Sequence, residues 1–243
     1  MLHAEAWLDL APRGAPAVVL VHGLGVSHRY LRPLGDRLAL RARVYAPDLP
    51  GFGASPAPPG RPLDVPELAA ALAGFLDAAR IGPATFVGNS MGCQVIAELA
   101  AGEPARVTRA VLNGPTIDPC ARTAVGQIAR LLLDALREPP GLVPLVVGDY
   151  LRCGPARLWQ TFRHALRHPM ADTLTRVTAP TVVVRGSRDP LVSRRWAETA
   201  SRLLPRGRLV ELPGVAHAAV YSAPRRLARV VCPPAGGPTS PGR

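Results

Sequence analysis

Short, uninterrupted apolar runs alternate with longer amphipathic segments along most of the chain. AVVLV (17–21), ATFVG (84–88) and TVVVRG (181–186) are runs of the first kind, and ELAAALAGFLDAAR (67–80) is a segment of the second. Apolar runs of this length are typical of strands buried on both faces, and the amphipathic spacing is typical of helices. The pattern predicts an α/β fold with a mostly parallel central sheet covered by helices on both faces.

The remaining predicted elements continue this alternation of strands and helices. The sequence predicts further strands at 43–48, 109–114 and 208–213, one strand within HAEAWLDL (3–10), and helices at 31–40, 91–101, 194–204 and 222–231. Asp64 and Glu67 precede one helix at the spacing of a capping box, in which each residue bonds to the other's backbone amide.

The alternation of strands and helices is interrupted between the predicted strands at 109–114 and 181–186. QIARLLLDALRE and RLWQTFRHALRH look helical, and the stretch PPGLVPL (139–145) between them reads as a loop. A compact domain rarely carries so long a structureless connection. We therefore predict a helical lid at 116–172 inserted into a core formed by 1–115 and 173–231. Its apolar residues should mostly pack between helices, with some facing a pocket: Ile128, Leu131, Leu132, Leu142, Val146, Trp159 and Phe162.

The composition and charge of the chain indicate which classes of binding partner to expect. The net charge is +12, yet all 29 basic residues are arginines and they are scattered along the chain. A dispersed basic surface does not predict a nucleic-acid groove. The N-terminus lacks a signal-peptide pattern and the run 17–21 is too short to span a bilayer, so we expect a cytoplasmic protein without a membrane partner. Oligomeric state is left open.

The four cysteines are far apart in sequence and include no C-x-x-C pair. This spacing indicates free thiols rather than a disulfide framework or a zinc site. The final stretch, 232–243, is rich in proline and glycine, and we predict that it is disordered.

The pentapeptide GNSMG (88–92) lies between a predicted strand and a predicted helix. A sharp strand-to-helix turn projects a serine outward, and the small flanking residues Gly88 and Gly92 allow the close backbone approach that such a turn requires. Ser90 is therefore a candidate nucleophile. The alternative is a serine that only caps the helix.

A serine nucleophile also needs oxyanion donors. The amide of Met91 opens the predicted helix, and HGLG (22–25) follows a neighbouring strand. We expect the backbone amides of Leu24 and Met91 to form the oxyanion hole. His22 is expected to hold this loop rather than to take part in chemistry.

The base and the acid should follow late strands. His217, in PGVAH after the strand at 208–213, is the histidine placed to act as base. Asp189, in RGSRDP, is the preferred orienting acid. Asp118, in NGPTIDP, is the rival, and it could instead cap the first lid helix or begin a turn.

The other histidines offer weaker chemistry. His164 and His168 have i, i+4 spacing, but HALRH lacks the glutamate of a zinc-binding H-E-x-x-H helix. We expect them to lie on a solvated lid face or a pocket wall. His28 could line the pocket or lie at the surface. No metal or organic cofactor is expected.

HGLG, DLPGFG (48–53), GNSMG, RGSRDP and PGVAH together resemble the α/β-hydrolase superfamily over about residues 15–231. The resemblance implies a triad of Ser90, Asp189 and His217. Within this superfamily the chain is similar both to small esterases and to carbon–carbon bond hydrolases that act on ring-cleavage products. The latter usually have Gly where this chain has Cys93 and Trp where it has Ala218.

The expected activity is serine hydrolysis of a small-molecule carboxylic ester, thioester or lactone through an acyl-enzyme on Ser90. Carbon–carbon bond hydrolysis and acyl transfer or perhydrolysis are alternatives that use the same residues. A slow-turnover binding protein on the same fold is an alternative of another class.

Overall fold

The computed structural model describes residues 2–233, which form one seven-stranded sheet. The strand order is β1-β3-β2-β4-β5-β6-β7. Strand β1 pairs antiparallel with β3, and every other pairing is parallel. The strands are β1 Ala4–Trp7, β2 Ala17–Val21, β3 Arg43–Pro47, β4 Ala84–Asn89, β5 Val107–Asn113, β6 Thr181–Gly186 and β7 Gly207–Leu212. This sheet, with its helices, confirms the predicted α/β fold.

Ten α-helices surround the sheet within residues 2–233. They are α1 Arg32–Leu38, α2 Val65–Ala78, α3 Met91–Gly102, α4 Ala124–Ala135, α5 Leu142–Cys153, α6 Pro155–Arg167, α7 Met170–Thr175, α8 Arg194–Leu203, α9 Ala219–Ser222 and α10 Pro224–Val231. None of the helices in this part of the chain is both long enough and apolar enough to cross a bilayer.

The strands are buried on both faces because successive side chains point to opposite sides of the sheet. Val19 and Phe86 belong to a core shared with α2, α3, α7 and α8. Leu20 and Val87, their sequence neighbours, belong to a second core with α1, α9 and α10. Two apolar layers on one sheet explain why the strands read as continuous apolar runs rather than alternating ones.

Helix α2 begins where the sequence indicates. The carboxylate of Asp64 accepts a hydrogen bond from the amide of Glu67 at 3.0 Å, and the carboxylate of Glu67 accepts one from the amide of Asp64 at 2.8 Å. These reciprocal bonds satisfy two of the amides that a helix start otherwise leaves without partners. The capping-box prediction is confirmed.

Two predicted boundaries are wrong. The loop predicted at 139–145 ends early, because α5 already begins at Leu142. The last helix, predicted at 222–231, begins at Pro224, and a short helix that was not predicted, α9, precedes it. The two are separated at Ala223, whose φ of −138° is not helical. Proline disfavours the helical conformation in the residue before it, so Pro224 interrupts one helix and starts the next. The tail predicted to be disordered lies outside the described residues, apart from Cys232 and Pro233.

Residues 116–172, the inserted segment, carry α4, α5, α6 and the first half of α7. Buried polar contacts attach them to α3. The Gln94 amide donates to the carbonyl of Ala165 at 2.9 Å, and the Glu98 carboxylate lies 2.8 Å from Nε2 of His168. These contacts fix the inserted helices against the helix that follows the GNSMG turn.

The turn between β4 and α3 depends on a close backbone approach at Gly92. A Cβ at this position would lie 2.7 Å from the carbonyl oxygen of His22 and closer still to that of Val21. Both neighbours are backbone atoms at the end of β2, so they cannot move aside as a side chain would. Gly88 faces the same turn, and a Cβ there would lie 2.8 Å from the carbonyl carbon of Gly92.

We expect Gly92→Ala to destabilise the fold by roughly 2 kcal/mol or more, because the added methyl group must push backbone segments apart. Gly74→Ala is the matched control. Gly74 lies in α2 with no atom within 4 Å of the added Cβ, and the change should stabilise the helix by about 0.5–1 kcal/mol. Urea unfolding of both variants tests this. Equal midpoints for Gly92→Ala and wild type would contradict the close-approach argument.

Candidate active site

Ser90 occupies the single position between β4 and α3. Its φ of 57° and ψ of −122° are rare for a residue other than glycine and cost about 1–3 kcal/mol. The amide of Ser90 donates to the carbonyl of Asn113 at 3.1 Å, and its carbonyl accepts from the amide of Cys93 at 3.0 Å. The Ser90 side chain makes no capping bond to α3. The strained turn therefore presents the hydroxyl to a cavity instead of using it as a helix cap.

His217 lies in the loop after β7 and lines the same cavity as Ser90. Its ring packs against Gly114, where a Cβ would lie 2.6 Å from Cε1 of the imidazole. Nδ1 of His217 is 2.8 Å from Oδ2 of Asp189. Nε2 is buried and has no hydrogen-bond partner among residues 2–233, so it is not bonded to the Ser90 hydroxyl in this structure.

Asp189 holds the imidazole from the turn after β6. Its Oδ1 accepts the amides of Leu191 at 2.8 Å and Val192 at 3.0 Å, which leaves Oδ2 for His217. A carboxylate only accepts hydrogen bonds, so Nδ1 carries the proton and, in the neutral ring, Nε2 is the free acceptor. This arrangement directs the basic nitrogen of His217 away from Asp189.

Burial and charge act on His217 in opposite directions. Removal from water lowers the pKa of a histidine, but the carboxylate of Asp189, aided by those of Asp134 and Glu138, outweighs burial and raises the pKa of His217 to about 9. Asp134 and Glu138 come from the inserted segment, and no pattern in the sequence indicates that they lie near His217.

The HGLG loop lies beside the serine. A Cβ on Gly23 would be 3.2 Å from Cβ of Ser90, and Leu24 and Met91 both line the cavity. Met91 is the first residue of α3, where amides have no partner within the helix. The structure thus brings both predicted oxyanion residues to the cavity that Ser90 faces.

A buried polar chain that the sequence did not indicate links this loop to the histidine. The amide of Gly23 donates to the hydroxyl of Tyr30 at 2.9 Å, and that hydroxyl donates to Asn89 at 2.9 Å. Asn89 and Asn113 then donate to the carbonyl of His217, at 3.2 and 3.1 Å. Burial raises the pKa of Tyr30, so its hydroxyl remains a donor. No hydrophobic or motif pattern in the sequence indicates these contacts of Tyr30, Asn89 and Asn113, so they could not be predicted from it.

The cavity has a volume of about 330 Å³ and is lined mainly by apolar side chains. Six of the seven apolar residues singled out in the inserted segment line it: Ile128, Leu131, Leu142, Val146, Trp159 and Phe162. The seventh, Leu132, points to solvent and is 65% exposed. Leu158 and Tyr150 of the inserted segment also line the cavity.

Asp118, the rival acid, is engaged elsewhere. One oxygen accepts the amide of Cys120 at 2.9 Å and the other accepts the hydroxyl of Ser193 at 2.7 Å. It caps the short 3-10 turn Pro119–Ala121, whereas Thr123 caps helix α4. The turn interpretation of Asp118 holds, and its carboxylate makes no bond to His217.

The other histidines are structural in different ways. His22 holds its loop, with Nδ1 2.8 Å from the carbonyl of Gly23 and Nε2 accepting the amide of Leu49 at 2.9 Å. The solvated-face and pocket-wall predictions are wrong for His168, because it is buried against Glu98 and lines no part of the cavity. Burial lowers the pKa of His168, although Glu98 opposes this.

His28 is also buried, but away from the cavity. With His3 and Asp48 it forms a cluster whose potential ligand atoms lie within 4.8 Å of one another. Nδ1 of His28 is 3.0 Å from one oxygen of Asp48, and Nδ1 of His3 is 3.2 Å from the other. The same two oxygens accept the amides of His28 at 2.7 Å and Ala54 at 2.9 Å. The cluster therefore ties β1 to the loop after β3.

Comparison with known proteins agrees with this geometry. The model of the alpha/beta hydrolase family matches residues 18–230. A pimeloyl-[acyl-carrier protein] methyl ester esterase of Neisseria meningitidis serogroup B is 30% identical over 87% of this chain and 89% of its own. A 2-hydroxy-6-oxo-2,4-heptadienoate hydrolase of Pseudomonas putida is 40% identical, over 40% of this chain and 36% of its own.

Among solved structures, a thermophilic esterase from Thermogutta terrifontis superimposes with a TM-score of 0.79 at 22% identity, covering 95% of this chain and 91% of that one. At this identity the likeness shows the fold alone. The family model, in contrast, spans nearly the whole described chain, and both curated relatives described above are hydrolases. The protein is a hydrolase and belongs to the alpha/beta hydrolase family.

Proposed function

We propose that the protein is a serine esterase that cleaves a neutral carboxylic ester with an apolar acyl group through an acyl-enzyme on Ser90. The observation that carries the proposal is the bond from Nδ1 of His217 to Asp189, which leaves Nε2 without a partner on a residue that lines the same cavity as the strained Ser90. This is the relation of acid, base and nucleophile that acyl transfer requires.

In the proposed mechanism Nε2 of His217 takes the hydroxyl proton as Ser90 Oγ attacks the ester carbonyl carbon. The carbonyl oxygen becomes an oxyanion and receives hydrogen bonds from the amides of Leu24 and Met91. His217 then donates its proton to the departing alcohol oxygen, which leaves the acyl group on Ser90. Water repeats the sequence and releases the acid. Asp189 stabilises the imidazolium at each proton transfer.

The lining of the cavity favours an ester over a ring-cleavage product. A dienoate such as the one named for the Pseudomonas putida relative carries a carboxylate, and a buried anion needs a cationic partner. Within residues 2–233 the lining contains no arginine, while it does contain the carboxyl group of Asp134. Similarity to the Neisseria esterase also covers far more of the chain than similarity to the dienoate hydrolase.

We expect a fluorophosphonate probe to label the wild-type protein once, on Ser90, and p-nitrophenyl butyrate to be hydrolysed. Ser90→Ala should lose both signals, because it removes the hydroxyl that the proposed mechanism uses as the nucleophile. Mass spectrometry of the labelled peptide and release of p-nitrophenol measure the two effects. Wild-type protein that is neither labelled nor active above Ser90→Ala would refute the proposal.

Asp189→Asn should lower kcat roughly 10³–10⁴-fold, because an amide can donate to Nδ1 and so favours the wrong tautomer of His217. Asp118→Asn is the matched control, since its carboxylate bonds to Cys120 and Ser193 and not to the imidazole. Steady-state kinetics with one ester measure both variants. A large loss in Asp118→Asn with a small one in Asp189→Asn would reverse the assignment of the acid.

The apolar wall predicts a preference for longer acyl chains. Each buried methylene contributes about 0.8 kcal/mol, so kcat/KM should be roughly tenfold higher for p-nitrophenyl butyrate than for the acetate. Leu131→Asn should reduce this ratio because Leu131 lines the cavity, whereas Leu132→Asn should not, because Leu132 faces solvent. Equal ratios in the two variants would show that this wall does not bind the acyl chain.

A further inference from the structure

Two buried carboxylates of the inserted segment contact the backbone of the histidine loop. Oδ1 of Asp134 accepts the amide of His217 at 3.2 Å, and Oε1 of Glu138 accepts the amide of Ala218 at 2.5 Å. Asp134 is in the last turn of α4, and Glu138 lies just beyond the helix end, where its amide donates to the carbonyl of Asp134 at 3.0 Å. Asp134 also lines the cavity.

The loop is thus held from two sides. Asn89 and Asn113, at the ends of adjacent strands, bind the carbonyl of His217 from the sheet. On the other side, Asp134 and Glu138 of the inserted segment accept hydrogen bonds from the backbone amides of His217 and Ala218. The bonds from the sheet are part of the core, but those from the inserted segment exist only while the end of α4 is seated on the loop.

Burying these two carboxylates is unfavourable by itself. Burial raises the pKa of Asp134 and of Glu138, and Oε2 of Glu138 has no hydrogen-bond partner within residues 2–233. A neutral amide or hydroxyl side chain could accept the same backbone N–H groups without this penalty. The charge itself therefore calls for an explanation, and the imidazole of His217 is a group whose charge opposes the effect of burial at both carboxyls.

We propose that Asp134 and Glu138 are positioning residues for the proposed serine esterase, which hold the histidine loop from the inserted segment and stabilise the imidazolium of His217 together with Asp189. The inference rests on the proposed function for its catalytic consequence. Its geometric part, two carboxylates on the amides of His217 and Ala218, is independent of the substrate.

The proposal couples α4 to the base. Ile128 and Leu131, also in α4, line the cavity that would receive the acyl group. A substrate that shifts α4 would also shift Asp134 and Glu138 relative to His217. Release of this contact would lower the pKa of the imidazole. At neutral pH a larger fraction of His217 would then be neutral, which is the form that can accept the Ser90 proton.

The charged groups that act on His217 come from two elements. Asp189 lies on the turn after β6, and Asp134 and Glu138 lie on the inserted segment. Arg137 acts on Asp134 and opposes the rise in its pKa, but its guanidinium donates to the carbonyl of Arg188, away from the imidazole. Removing the two carboxylate charges of the inserted segment therefore leaves Asp189 as the charge that stabilises the imidazolium.

The test compares two kinds of variant. Asp134→Asn with Glu138→Gln keeps oxygen acceptors for both amides but removes the charges. The ascending limb of kcat/KM against pH, expected near pH 9 in wild type, should then move to lower pH by roughly one unit. Asp134→Ala with Glu138→Ala removes the bonds as well and should lower kcat about tenfold, with a smaller change in KM. Asp172→Asn, an exposed carboxylate in α7, is the control and should change neither quantity.

A second readout does not need turnover. Titration of His217 by NMR in a Ser90→Ala background, assigned by its loss in His217→Gln, should show the same downward shift in the amide double variant. An unchanged pKa of His217 would overturn the proposal, whatever the activity. If the alanine pair fails to fold, the amide pair decides. An inactive, unlabelled wild type with a shifted imidazole would refute the esterase but not the contact between the carboxylates and the loop.

Discussion

The close approach of α3 to the end of β2 is the constraint on which the site depends. Because Gly92 has no side chain, the first turn of α3 can lie against the carbonyls of Val21 and His22. The same approach confines Ser90 to a positive φ and sets Gly23 within contact distance of its Cβ. One backbone contact thus brings Ser90, the start of α3 and the HGLG loop together. The strained backbone conformation of Ser90 persists because the surrounding strands and α3 constrain the turn on both sides.

His217, in contrast, is positioned by polar side chains. Asn89 and Asn113 lie at the ends of β4 and β5, next to Ser90, and they hold the carbonyl of the loop that carries His217. Tyr30 continues this chain of bonds to Gly23. The serine, the histidine and the oxyanion loop therefore share one buried network. Loss of a single member would leave buried polar partners unsatisfied, so its effect should spread beyond its own contacts.

The sequence predicted the features that arise from local pattern. Strand and helix runs, the capping box at Asp64 and the strand-to-helix position of Ser90 are all encoded in short windows. It did not predict Asp134 and Glu138 beside His217, because this contact joins residues about eighty positions apart through a helix whose docking no periodicity reveals. His168 was misplaced for the same reason. Its partner Glu98 lies on another helix, and the i, i+4 pattern alone could not distinguish a solvated face from a buried anchor.

The raised pKa of His217 also links catalysis to stability. The imidazole titrates near 6.5 in an unfolded chain and near 9 in the folded one. The folded state therefore binds the proton more tightly, and the resulting stabilisation is fully present below about pH 6.5 and lost as pH rises through about 9. The proposed reaction needs the neutral imidazole, which is the form that the surrounding carboxylates disfavour. In the proposed esterase, the carboxylates that hold the histidine loop also favour the imidazolium, which cannot accept the Ser90 proton. A substrate that weakened the contact of α4 with this loop would then favour catalysis while reducing the stability that the charge confers.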